Sequence, residues 1–127
     1  MKKVYISLPI HQKDEKEQRE LAAKSARHLT AKGYEPINPF DIFDDLKELW
    51  RKSIIGYPSY REIMASDLEQ LESCDYIMQC KGWEKSNGCM IEHYFSKQHG
   101  IKVLEIGELN ETNIVNDLVL DYKDFRK

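Results

Sequence analysis

Apolar and polar positions along the chain fall into blocks whose period changes repeatedly. Val4-Tyr5-Ile6, bounded by Pro9, predicts a short buried first strand. Residues 12–32 then read as a helix that is polar on one side, with Ala22, Ala26 and Leu29 at helical spacing on the other. Gly33 is the expected stop. A second strand is predicted over 34–37, ended by Asn38-Pro39. Residues 40–59 form the least regular stretch, in which Phe40, Phe43, Trp50 and Tyr57 stand among charges. A connection of that length suits a lid or binding loop, with a helix of its own expected over 44–52. From 59 to 73 the pattern is clean again: Tyr60, Ile63, Met64, Asp67, Leu68 and Leu71 make one continuous helical face. Beyond it the pattern predicts a third strand at 75–79, a turn at 82–88, a helix at 89–99 stopped by Gly100, and a fourth strand at 101–106. The weaker tail suggests a short helix at 113–118 and a last strand at 119–122.

Strands alternating with helices imply a parallel sheet covered on both faces, with right-handed crossovers. The expectation is one α/β domain spanning 1–127, a Rossmann-like three-layer sandwich with a four- to five-stranded parallel sheet. In such sheets ligands bind outside the carboxyl ends of the strands. That edge collects residues 8–11, Pro39, Phe40 and residues 81–88.

Charge narrows the partners. A net charge of −3 with acids and bases interspersed gives no electrostatic footprint for a nucleic acid polymer or an anionic membrane. No apolar run is long enough to span a bilayer, and Met1-Lys2-Lys3 leads straight into the first strand without a signal-peptide core. Cys74, Cys80 and Cys89 are odd in number and lack metal-ligand spacing, so reduced thiols, no metal and a cytoplasmic home are expected.

Three features carry candidate chemistry. Asp67 lies on the apolar stripe of its helix, where an ionised carboxylate is costly unless it is paired or its pKa is raised. It is either a structural aspartate bonded to a neighbour or a functional acid at a pocket rim. Glu92 falls in the opening turns of the helix after Gly88, where the helix dipole favours the ionised form. It is either a surface glutamate complementing that dipole or a nucleophile at the carboxyl edge. Ser86-Asn87-Gly88 is either a plain N-cap or a place where backbone amides approach an anion. Two carboxylates, one nucleophile and one proton donor, are the minimum needed to cleave a glycosidic bond. Tyr5, Trp83 and Tyr57 are aromatics that could stack on a base or orient an acid.

The segments Val4-Tyr5-Ile6-Ser7-Leu8-Pro9-Ile10, Ser66-Asp67-Leu68-Glu69-Gln70-Leu71, Cys74-Asp75 and Ser86-Asn87-Gly88-Cys89-Met90-Ile91-Glu92 together resemble the nucleoside 2-deoxyribosyltransferase superfamily, which includes the 2′-deoxynucleoside 5′-monophosphate N-hydrolases. The stretch from Gly82 to Ser86 is closer to a small branch of that superfamily. The resemblance spans roughly residues 3–106 and is weakest over 40–59. It implies a flavodoxin-like sheet, no cofactor, and cleavage or transfer of the N-glycosidic bond of a nucleoside or nucleotide. By resemblance Glu92 is the nucleophile, Asp67 manages the proton on the leaving base, and Tyr5 positions the glutamate. Ser86 matches a serine that contacts the 5′-phosphate in the hydrolase branch, and Gly88 a glycine that admits the sugar. Ser7, Leu8, His11 and Trp83 complete the expected ligand contacts. The resemblance also implies a homodimer or larger homo-oligomer. Leu8 stands where the family usually has glycine, and His11 where the hydrolase branch has a phosphate-binding arginine. Both departures favour a second reading, a non-catalytic module that binds a nucleotide-like ligand. One geometric tension arises from the pattern itself. A helix starting at Ser59 puts Asp67 two turns from the carboxyl edge, and a start nearer Ile63 would bring it closer to Glu92.

Overall fold

The structure, a computed structural model, describes residues 1–10, 13–51 and 58–104. Within them four parallel strands, β1 (Lys3–Ser7), β2 (Glu35–Ile37), β3 (Tyr76–Gln79) and β4 (Lys102–Val103), lie in the order β2-β1-β3-β4. Helices α1 (Glu15–Ala31), α2 (Pro39–Arg51), α3 (Tyr60–Glu72) and α4 (Asn87–Gln98) connect them, with a 3₁₀ turn at Trp83–Lys85 before α4. This is the flavodoxin/Rossmann-like three-layer α/β architecture. The expected tail helix and last strand, at 113–118 and 119–122, lie outside the described residues.

Alternation along β1 divides the core. Val4, Ile6 and Leu8 pack with Ala22 and Leu29 of α1, with Met78, and with Phe40 at the start of α2. Tyr5 faces the other way and joins Leu71, Cys74, Ile77 and Ile101, with Leu68 of α3 and Phe95 of α4 against them. Because side chains alternate with period two, Ser7 shares the face of Tyr5 and turns toward α3 and α4. The register Tyr5↔Ile77 and Ser7↔Gln79 continues that layer onto β3.

Local signals fix the helix ends. Asp14 caps α1 by accepting from the Glu17 amide at 3.0 Å. Ser59 caps α3 by accepting from the Glu62 amide at 3.3 Å, and Ser86 caps α4 by accepting from the Cys89 amide at 3.3 Å. Gly33, at φ 89°, follows α1 in the left-handed conformation that only glycine adopts freely. The helix expected within 40–59 starts earlier than its apolar pattern suggests. Asn38 Oδ1 accepts from the Phe40 amide at 2.9 Å and Pro39 occupies the first helical position, so α2 runs from Pro39 rather than from 44.

The strand order reverses between β1, which pairs with β2 on one side, and β3 on the other. A crevice opens at such a switch point, beyond the carboxyl ends of the strands. The candidate site lies there.

Candidate functional site

Glu92 stands in the second turn of α4, packed over the end of β1, and is 5 % exposed. The Tyr5 hydroxyl donates to its Oε2 at 2.6 Å and the Ser7 hydroxyl donates to its Oε1 at 2.7 Å. Both donors are completely buried, so they cannot turn to water instead. The helix dipole is the support for the charge that the sequence leads one to expect. The structure gives a different one, since α4 has no acidic residue in its first turn and Glu92 lies beyond the reach of the free amides. Burial raises the carboxyl to about 7, and the Ser7 and Tyr5 hydroxyls hold it back from going higher. Each oxygen accepts one bond and keeps a further lone-pair site. Burial, with the Glu92 charge next, pushes the Tyr5 phenol well above its ordinary value, so it remains a donor.

Asp67 comes from the buried face of α3 and is 6 % exposed. Its Oδ1 is buried with no hydrogen-bond partner among the described residues. Burial, and then the charge of Glu92, raises its carboxyl to about 8. The helix starts at Tyr60, as the Ser59 cap dictates, yet Asp67 still shares a cleft with Glu92. Tyr60, Ile63, Met64 and Asp67 all line that cleft, so the flank of α3 is itself a wall of the site and a later helix start is not required.

The cleft has a volume of about 250 Å³. Ligand pockets commonly run from about 300 to 1,000 Å³, so this one suits one small molecule rather than a large one. Tyr5, Asp67, Glu92, Ser86, Gly88 and Leu8 all line it. Leu8, 4 % exposed, presents a full side chain where close approach to a ligand would favour glycine. Ser7 sits beneath Glu92 rather than on the cleft surface, so its contact is with the carboxylate. Ser86 borders the cleft while capping α4. Gly88 faces Tyr60 and Met64: a Cβ there would lie 3.5 Å from the Tyr60 hydroxyl and 3.6 Å from the Met64 sulfur. Trp83 is placed elsewhere. The 3₁₀ turn folds its ring onto α4, 4.6 Å from the His93 ring, and it does not line the cleft. His11 and Tyr57 lie outside the described residues.

Of the other lining residues, Glu15 carries no signal in the sequence that marks it out. Phe40 and Phe43 of α2, Ile63 and Met64 of α3, Glu15 at the start of α1, and Ile10 and Pro39 also line the cleft. Tyr60 stands at the mouth, and burial together with the nearby Glu92 charge raises its phenol. Among the described residues no cluster of three His, Cys, Asp or Glu side chains is arranged to hold a metal. Cys89 also lines the cleft, and burial raises its thiol to about 11, so it is protonated and weakly nucleophilic.

Residues 2–105 match the family described as Domain of unknown function (DUF4406). The chain belongs to that family. The DUF4406 match takes in all the strands and helices described above, and so every element that builds the cleft. No curated protein and no solved structure matches the chain. Among the described residues no helix is long and apolar enough to cross a membrane.

Proposed function

We propose that the cleft breaks the N-glycosidic bond of a nucleoside or nucleotide through a glutamate nucleophile. The observation that carries this reading is the pairing of a carboxylate held by two buried hydroxyls with a second carboxyl that has no such support. Two titratable groups whose surroundings separate their proton affinities are the usual mark of an acid–nucleophile pair. Glu92 loses its proton first because Tyr5 and Ser7 stabilise the anion. The resulting charge helps to keep Asp67 protonated.

The chemistry follows from those states. A Glu92 oxygen attacks the anomeric carbon as the bond from that carbon to the base nitrogen breaks. The bonding pair leaves with the base, and Asp67 supplies the proton that neutralises it. The product is a glycosyl ester on Glu92 and an ionised Asp67. Water or an acceptor base then attacks the same carbon and gives its proton to Asp67, and the ester breaks to restore the Glu92 carboxylate. The apolar wall of Phe40, Phe43, Ile63 and Met64 offers a surface for a planar base.

Leu8 favours a second reading, because its side chain occupies space on the cleft surface that a reacting sugar would use. A nucleotide-like ligand could then bind without turnover. Base release from a panel of nucleosides and their monophosphates separates the two. The glycosidase reading expects release by the wild type and a loss of roughly a thousandfold or more in Glu92→Gln, which lacks a substitute nucleophile. Saturable binding with no base released by the wild type would leave the binding module as the better account.

A further inference from the structure

The two phenylalanines of the apolar wall, Phe40 and Phe43, stand on α2, and one side chain ties α2 to α1. Arg19 donates from Nη1 to Asp44 Oδ2 at 2.9 Å and from Nη2 to Asp44 Oδ1 at 2.8 Å. Its Nε donates to Glu15 Oε2 at 2.8 Å. The guanidinium also covers Phe40, 4.6 Å from the ring centroid. One turn further along α2 the arrangement repeats in a weaker form. Lys47 Nζ is 3.8 Å from Asp44 Oδ1 and 4.9 Å from the Phe43 ring centroid. Asp44 thus lies between two cations, each covering an aromatic ring. Both rings line the cleft, and so does Glu15.

Half-exposed ion pairs contribute little to stability, so such a network is better explained by the geometry it imposes. The two-pronged Arg19–Asp44 contact fixes angle as well as distance, which a lysine could not do. Meanwhile the groups assigned to chemistry stand on other elements. Tyr5 and Ser7 are on β1, Asp67 is on α3 and Glu92 is on α4. The Arg19 and Asp44 contacts include none of these four residues, so losing them acts on the wall before it acts on the acid or the nucleophile.

We propose that Arg19 is a positioning residue that, by gripping Asp44 and covering Phe40, holds α2 as the wall against which the leaving base is bound. The proposal rests on the glycosidase reading for its substrate, but its structural part can be tested without turnover. Hydrogen exchange of residues 39–51 is followed in ligand-free protein, with residues 87–98 as the internal reference. Arg19→Met and Asp44→Asn should each speed exchange in 39–51 by about tenfold while 87–98 is unchanged, as expected when one unit of structure loosens locally. Steady-state base release is then measured with whichever nucleoside of the panel the wild type cleaves. Both variants should raise KM by about tenfold and change kcat by less than about threefold, the pattern of lost ground-state binding. Arg19→Lys should recover only part of the loss. Arg51→Met removes an exposed pair with Glu48 on the same helix and should behave as wild type. Unchanged exchange in 39–51, or a fall in kcat at constant KM, would overturn the proposal. If the wild type released no base, the glycosidase reading alone would fail, and the exchange measurement would still decide whether Arg19 positions α2.

Discussion

The floor of the cleft and its α3 wall each carry a buried carboxyl, and the two are treated in opposite ways. On the floor, Glu92 receives hydroxyl bonds at 2.6 and 2.7 Å from β1. On the wall, Asp67 has a buried oxygen with no partner among the described residues. Burial opposes ionisation of both. The Tyr5 and Ser7 donors hold the Glu92 carboxyl down, whereas the Glu92 charge pushes the Asp67 carboxyl further up. Role in such a site follows from the neighbours of a carboxyl rather than from its residue type. A strand that alternates Tyr5 and Ser7 inward, under a helix that brings Glu92 over them, is enough to make the distinction.

Asp67→Asn should break the comparison most severely, because it removes the proposed proton donor and leaves the proposed nucleophile in place. Release of poor leaving bases should fall by about 10² to 10⁴, and release of good leaving bases by much less. The pH dependence should change with it. In the wild type, base release should rise as the pair loses its first proton near 7 and fall as it loses the second near 8. In Asp67→Asn the alkaline limb should vanish. An equal loss for every leaving group, with both limbs retained, would remove Asp67 from the proton-donor role.

A smaller effect concerns stability, and its sign is opposite to that of activity. The folded-state affinity of Glu92 for a proton is raised, from 4.5 to about 7. Below 4.5 the group is protonated in both folded and unfolded chains and causes no loss. Between 4.5 and about 7 the unfolded chain ionises this group while the folded chain keeps it protonated, so stability falls across that window and levels off above it. The loss is on the order of 3 to 4 kcal/mol, since each tenfold change in proton affinity is worth about 1.4 kcal/mol. Glu92→Gln keeps an acceptor for Tyr5 and has no charge to bury. It should therefore melt above the wild type near pH 8 and close to it near pH 4. A variant less stable than the wild type near pH 8 would show that the charged carboxylate holds the floor together.

Much of this is readable in the sequence where local pattern decides. The α3 stripe from Tyr60 to Leu71 reveals both the helix and the anomaly of Asp67 within it, because a charge on an apolar face stands out without tertiary knowledge. The capping role of Ser86 is one of the two readings its tripeptide allows. The start of α2 escapes the apolar pattern although its signal is present: Asn38-Pro39 ends a strand and also begins a helix, with asparagine as cap and proline first. What local pattern cannot show is which side chains converge. Support for Glu92 comes from β1, eighty-five and eighty-seven positions earlier in the chain, rather than from its own helix. Trp83 looks suited to a ligand, but the turn that carries it folds it onto His93. Arg19 and Asp44, ordinary charges in the sequence, meet across twenty-five positions to hold the aromatic wall.

The central claim, that Glu92 forms a bond to the sugar, is tested most directly by the intact mass of the protein during turnover. A nucleoside carrying fluorine at C2′ disfavours the oxocarbenium-like transition states and lets a glycosyl-enzyme accumulate. The account predicts a mass increase equal to one fluorinated glycosyl unit, located by fragmentation on Glu92. Base released without any adduct, or an adduct on another residue, would contradict it.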